Sequence, residues 1–74
     1  PAFNYIYDRN SGEIEITSPD PVAKVHIYSI SGNILSVINH PINNKFHIEL
    51  NTKGVYFMQV QSSKYSKTIK LVFH

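Results

Sequence analysis

Apolar residues recur at every second position through most of this chain, and no segment keeps a helical spacing over a useful length. Successive side chains of an extended strand point to opposite faces, so a period of two specifies a strand with one face buried. Residues 45–50 show the cleanest case, with Phe46, Ile48 and Leu50 inward and His47 and Glu49 outward. Glu13–Thr17 sets Ile14 and Ile16 against Glu13 and Glu15, and residues 67–73 set Ile69, Leu71 and Phe73 against Thr68 and Lys70. Residues 3–8 alternate Phe3, Tyr5 and Tyr7 with polar neighbours, and residues 23–30 place Val25 and Ile27 opposite Lys24, His26, Tyr28 and Ile30. Two segments depart from alternation. Residues 34–38 are apolar on both faces, and residues 55–61 open with Val55, Tyr56, Phe57 and Met58 in a row. The second of these predicts a strand covered on both faces at its start, in the middle of a layered β structure.

Turn chemistry separates these runs. Asn10-Ser11-Gly12, Ser31-Gly32-Asn33, residues 39–44, Asn51 to Gly54 and residues 62–66 all carry turn residues. Gly54 is expected to be structural, at a positive φ or where two backbones approach closely. Gly32 is expected to serve the hairpin. Ser18-Pro19-Asp20-Pro21 cannot continue a ladder, because proline has no N–H to donate, and predicts a crossing between sheets. Seven short strands with regularly spaced turns make the fold class all-β, an antiparallel β-sandwich, with the proline breaks favouring a sandwich over a barrel.

Seventy-four residues make one domain, and without cysteine no disulfide or thiolate chemistry is available to it. A net charge of +2 and a charged fraction of 16% make too weak a field for nucleic acid or an anionic membrane. No apolar run approaches the length of a membrane span, so no membrane insertion is expected. The start at Pro1 shows neither a basic n-region nor an apolar run, and reads as the beginning of a piece cut from a longer protein.

No catalytic or cofactor motif stands out. His26, His40, His47 and His74 lack ligand spacing, and no carboxylate cluster joins them. Glu13 and Glu15 share the solvent face of one strand, which makes a polar surface rather than an acid–base pair. Lys64, Lys67 and Lys70 near Tyr65 protect a strand edge more readily than they bind nucleic acid. Tyr56 is expected to be a core tyrosine with a satisfied hydroxyl. An exposed pair formed by Tyr5 and Tyr7 offers the alternative of a small adhesive or carbohydrate-binding module.

One ordered set of segments carries more. Val25-His26-Ile27-Tyr28-Ser29-Ile30-Ser31-Gly32-Asn33-Ile34 is followed by a polar stretch and Phe46-His47-Ile48-Glu49-Leu50, then Gly54-Val55-Tyr56-Phe57-Met58-Gln59-Val60, then Ser66-Lys67-Thr68-Ile69-Lys70-Leu71-Val72 at the end of the chain. This order resembles the C-terminal sorting domain of the type IX (Por) secretion system, in its common variant, over Val22 to His74. The resemblance implies an immunoglobulin-like seven-stranded sandwich, spanning residues 1–74, appended to a cargo protein that lies N-terminal to it. It implies a non-enzymatic domain without a cofactor. Its expected partners are the outer-membrane export machinery and a sortase-like protease that removes the domain in many members. It also implies passage through the periplasm to the cell surface or the medium. Lys67, Thr68, Ile69, Lys70, Leu71, Val72, Phe73 and His74 are the expected export signal, read as a folded terminal strand, with Gly32, Gly54 and Tyr56 as structural motif residues. The chain departs from the family in closing on Val72-Phe73-His74, where members commonly end in a basic residue after the last apolar pair.

Overall fold

A computed structural model describes residues 3–49 and 53–73. The strands are β1 (Asn4–Asp8), β2 (Glu13–Thr17), β3 (Val22–Ser29), β4 (Ile34–Asn39), β5 (Lys45–His47), β6 (Gly54–Ser62) and β7 (Ser66–Phe73), with one 3₁₀ turn at Ile42–Asn44. They form two sheets, one ordered β1-β2-β5 and the other β4-β3-β6-β7. Every described pairing is antiparallel. The two sheets pack face to face as an immunoglobulin-like sandwich.

The period-two pattern decides what lies between the sheets. Ile14 and Ile16 come from β2, Val25 and Ile27 from β3, Met58 and Val60 from β6 and Leu71 from β7, and each is at most 2% exposed. Phe3, Val22, Phe46, Ile48 and Tyr56 complete the buried layer. Burying one such aliphatic side chain contributes roughly 1.5–3 kcal/mol.

Two of the three crossings fall where proline forbids a ladder. Residues 18–21 carry the chain from β2 in one sheet to β3 in the other. There the Asp20 N–H donates to Ser18 Oγ at 3.3 Å. A second crossing, from β4 to β5, uses left-handed backbone at His40, Asn43 and Asn44. The Asn44 carboxamide oxygen accepts from the Val22 N–H at 3.1 Å, tying the two crossings together. The residues 31–33 hairpin closes as expected, with the Ser29 N–H on Asn33 O at 2.9 Å and the Gly32 N–H on Ser29 O at 3.0 Å.

Gly12 is required twice over. Its φ is +75°, and a Cβ there would sit 2.8 Å from both the His47 ring and the Ile48 carbonyl oxygen. Its N–H donates to Asp8 O at 2.8 Å and its carbonyl accepts from the Ile48 N–H at 2.9 Å. One residue thus closes the β1–β2 turn and holds the chain leaving β5.

Two sequence expectations need correction, and one pattern the sequence left open is resolved. The strand predicted over residues 45–50 ends at His47, although Ile48 remains buried; Leu50, Asn51 and Thr52 lie outside the described residues. The start of β6 is not covered on both faces: Tyr56 and Met58 are buried, whereas Val55 and Phe57 are only half-buried. They lie on the outer face of the four-stranded sheet, and a two-layer sandwich has no third layer to cover it. β4, apolar on both faces in sequence, leaves Ile34, Leu35 and Val37 exposed because it is an edge strand.

Replacing Ile27 by alanine should cost about 2–5 kcal/mol. That is a large share of a total on the order of 5 kcal/mol expected for so small a domain. Ile30, which is 73% exposed, should tolerate the same change within about 0.5 kcal/mol. Urea unfolding of the two variants checks both expectations.

Candidate functional site

The predicted signal strand is β7, and it forms one edge of the four-stranded sheet. Its ladder with β6 runs from Gly54↔Phe73 to Gln61↔Ser66. Among the described residues β7 pairs only with β6, so its other side presents backbone N–H and C=O groups to solvent.

Alternation divides its side chains as expected. Leu71 is buried, Ile69 and Phe73 are half-buried against the core, and Thr68, Lys70 and Val72 are exposed on the outer face. Lys67 shares the inward row of Ile69 and Leu71 and is nevertheless exposed. A charge on the core-facing row of an edge strand discourages a second strand from adding there indiscriminately. His74, the last residue of the expected signal, lies outside the described residues.

Aromatic contacts fix the end of β7. The Phe73 ring meets Tyr7 edge-on at 4.7 Å between centroids and lies 5.6 Å from the Tyr56 ring. Such pairs contribute about 0.5–1.5 kcal/mol beyond burial. Tyr56 is 8% exposed, as a core tyrosine should be. Tyr7 is therefore half-buried across the sheets, and it does not form a flat exposed platform with Tyr5.

Gly54 opens β6 directly opposite Phe73, at φ +142°. A Cβ there would meet nothing within 4 Å, so the position needs glycine for its backbone conformation and not for close approach. Gly32 sits in the β3–β4 hairpin, at the same end of the four-stranded sheet as Gly54 and Phe73.

The turn that feeds β7 is held at its other end. Ser62 Oγ accepts from the Lys64 and Tyr65 N–H groups, each at 3.3 Å, and the Ser62 N–H donates to Tyr65 O at 2.9 Å. The Tyr65 ring lies edge-on to Phe3 at 5.3 Å. Its phenol is pushed above its ordinary value by desolvation, then by a hydrogen bond to the Asp20 carboxylate and by that group's charge. Tyr65 thus clasps the β6–β7 turn to the crossing at residues 18–21. The sequence placed Tyr65 only in a turn beside lysines. Its partners Phe3 and Asp20 are distant along the chain, and no local signal joins them.

Among the described residues no three His, Cys, Asp or Glu side chains converge to hold a metal ion. His26, outward on β3, stacks on Tyr28 at 5.8 Å, and His47 Nε2 lies 3.6 Å from the Glu49 carboxylate. What the site offers is a folded strand with one free edge.

A family model described as the secretion system C-terminal sorting domain matches residues 10–74. No curated protein and no solved structure matches the chain.

Replacing Phe73 by alanine should lower stability by about 1–3 kcal/mol, less than the roughly 3–5 kcal/mol of a fully buried phenylalanine. Val72→Ala should stay within about 0.5 kcal/mol. Denaturant midpoints of the two variants test the inward–outward division of the strand. A raised folded-state pKa favours the neutral phenol, so the contribution of Tyr65 to the fold is fully present below the ordinary phenol value of 10.0. That contribution is lost as pH rises through the folded value. In ultraviolet titration, Tyr65→Phe should remove a tyrosine that ionises later than the ordinary value, and Asp20→Asn should bring that ionisation down.

Proposed function

Because the chain belongs to the family of secretion-system C-terminal sorting domains, the export signals of type IX secretion, we propose that the signal is the folded edge strand β7, read while its inner row stays locked in the sandwich. Membership makes the chain a sorting signal that interacts with the type IX machinery, for export across the outer membrane to the cell surface or the medium. The finer steps are proposals. A cargo protein N-terminal to the domain is carried through the periplasm, the machinery reads β7, and a sortase-like protease removes the domain at the surface. The domain itself catalyses nothing and binds no cofactor.

One observation supports this reading above the rest. β7 is at once an edge of its sheet and a core element, with Leu71 only 1% exposed. A strand buried between neighbours offers a receptor no backbone groups, and a detached tail offers no fixed register. β7 avoids both limits. A receptor adding a strand gains main-chain hydrogen bonds along the free edge and register from Thr68, Lys70 and Val72.

The test places this chain behind a signal peptide and a reporter, in cells that possess the machinery. Removing residues 67–74 should abolish appearance of the reporter outside the cell, and undiminished export would overturn the proposal. Reading is separated from folding by two point variants. Leu71→Ala should lower both stability and export, whereas Lys70→Glu should leave the urea midpoint within about 0.5 kcal/mol of the parent and lower export alone.

A further inference from the structure

The far edge of the four-stranded sheet is built differently from β7. β4 reads Ile34-Leu35-Ser36-Val37-Ile38-Asn39, with no charge and no proline, and Ile34, Leu35 and Val37 are exposed. The other edge strands of the described fold each carry charge: Asp8 on β1, Lys45 on β5, and Lys67 and Lys70 on β7. Edge strands are ordinarily blunted by charge, proline, shortness or a bulge. β4 has only a bulge, at Leu35, where the register with β3 shifts between Ile27 and Tyr28. Residues 36–39 continue as an unprotected ladder beyond it.

We infer that β4 pairs antiparallel with β4 of a second copy of this chain, about a two-fold axis through Val37. In that register Val37 faces Val37 and Ser36 faces Ile38, and no like charges meet. The same operation on β7 would bring the lysines of both copies into one ladder. Pairing β4 with β7 would be heterologous and would propagate as an open filament, whereas the β4–β4 contact closes on itself.

The outer face supports the choice. Val37 lies in one cross-strand row with His26, Gln59 and Thr68, and Ile34 in the next with Tyr28, Phe57 and Lys70. The two-fold axis stands perpendicular to the sheet, so both outer faces point the same way. The apolar ends of these rows then meet across the new ladder in one continuous sheet. An edge contact of this length falls short of the roughly 1,200 Å² of a stable interface, so the dimer is weak and depends on concentration. Both β7 strands stay at the outer edges of the joined sheet and remain free.

Sedimentation equilibrium of the 74-residue chain tests this between about 1 μM and about 1 mM, the range that brackets weak association. The weight-average mass should rise from 8.5 kDa toward twice that value. Val37→Lys and Val37→Glu should each stay monomeric, and an equimolar mixture of the two should associate again through opposite charges. Lys70→Glu should associate as the parent does. A parent that stays at monomer mass throughout, or a Val37→Lys variant that associates unchanged, overturns the inference. Should the lysine variant fail to fold, the glutamate variant alone decides it, by remaining monomeric or by associating like the parent.

Discussion

The whole molecule rests on one apolar layer between two sheets. With no cysteine there is no covalent tie between them. The cross-sheet polar contacts, such as Asn44 to Val22 and Tyr65 to Asp20, lie at the crossings and the clasp and not in the middle. What holds the centre is alternate side chains of β2, β3, β6 and β7, each contributing through area removed from water. A layer of this kind is indifferent to the identity of individual surface residues. It is intolerant of a register slip, because moving any strand by one residue would turn its inward row to solvent.

The sheets differ in width, and that difference distributes exposure. β1 lies across from β7, as the contacts of Tyr7 with Phe73 and of Phe3 with Tyr65 show. Three strands aligned with that side cannot cover four, so β4 overhangs, anchored by Ile38 while Ile34, Leu35 and Val37 stay exposed. The same mismatch keeps β7 against the core through Ile69, Leu71 and Phe73 while its edge stays open. One sheet thus has a covered edge strand and an overhanging one.

Most of the strands and the two proline-marked crossings were legible in the sequence, because alternation and proline act locally; the third crossing, from β5 to β6, carries no proline and was not. Ile14, Ile16, Val25, Ile27 and Leu71 point where a period of two sends them. Strand order was not legible. Residues 34–38 and 55–58 share an apolar-on-both-faces pattern, yet one segment became an edge and the other an inner strand. Hydrophobicity on an outer face records what the sheet can carry, not what covers it. The early end of β5 and the clasp of Tyr65 on Asp20 depend on chain brought in from elsewhere, which no window of neighbouring residues contains. The β7 strand itself was legible because Ile69, Leu71 and Phe73 against Thr68 and Lys70 obey the same local rule, from which Lys67, exposed on the inward row, departs.

The lysines on β7 raise a question of compatibility, since charge on an edge usually serves to prevent pairing. Prevention and recognition are not opposed when the partner differs from the strand. Lys67 and Lys70 disfavour a second copy of β7, whose own lysines would enter the same ladder, and they favour a strand that brings carboxylates. Lys67 stands on the inward row, so an incoming strand must accommodate a charge where an unselective apolar strand would bury a methyl group. If β7 is the strand a receptor reads, as proposed, this asymmetry follows: an edge that paired with its own kind would be occupied before any receptor reached it. With the uncharged edge at β4 and the charged one at β7, the proposed self-association and the proposed recognition would use opposite edges of one sheet.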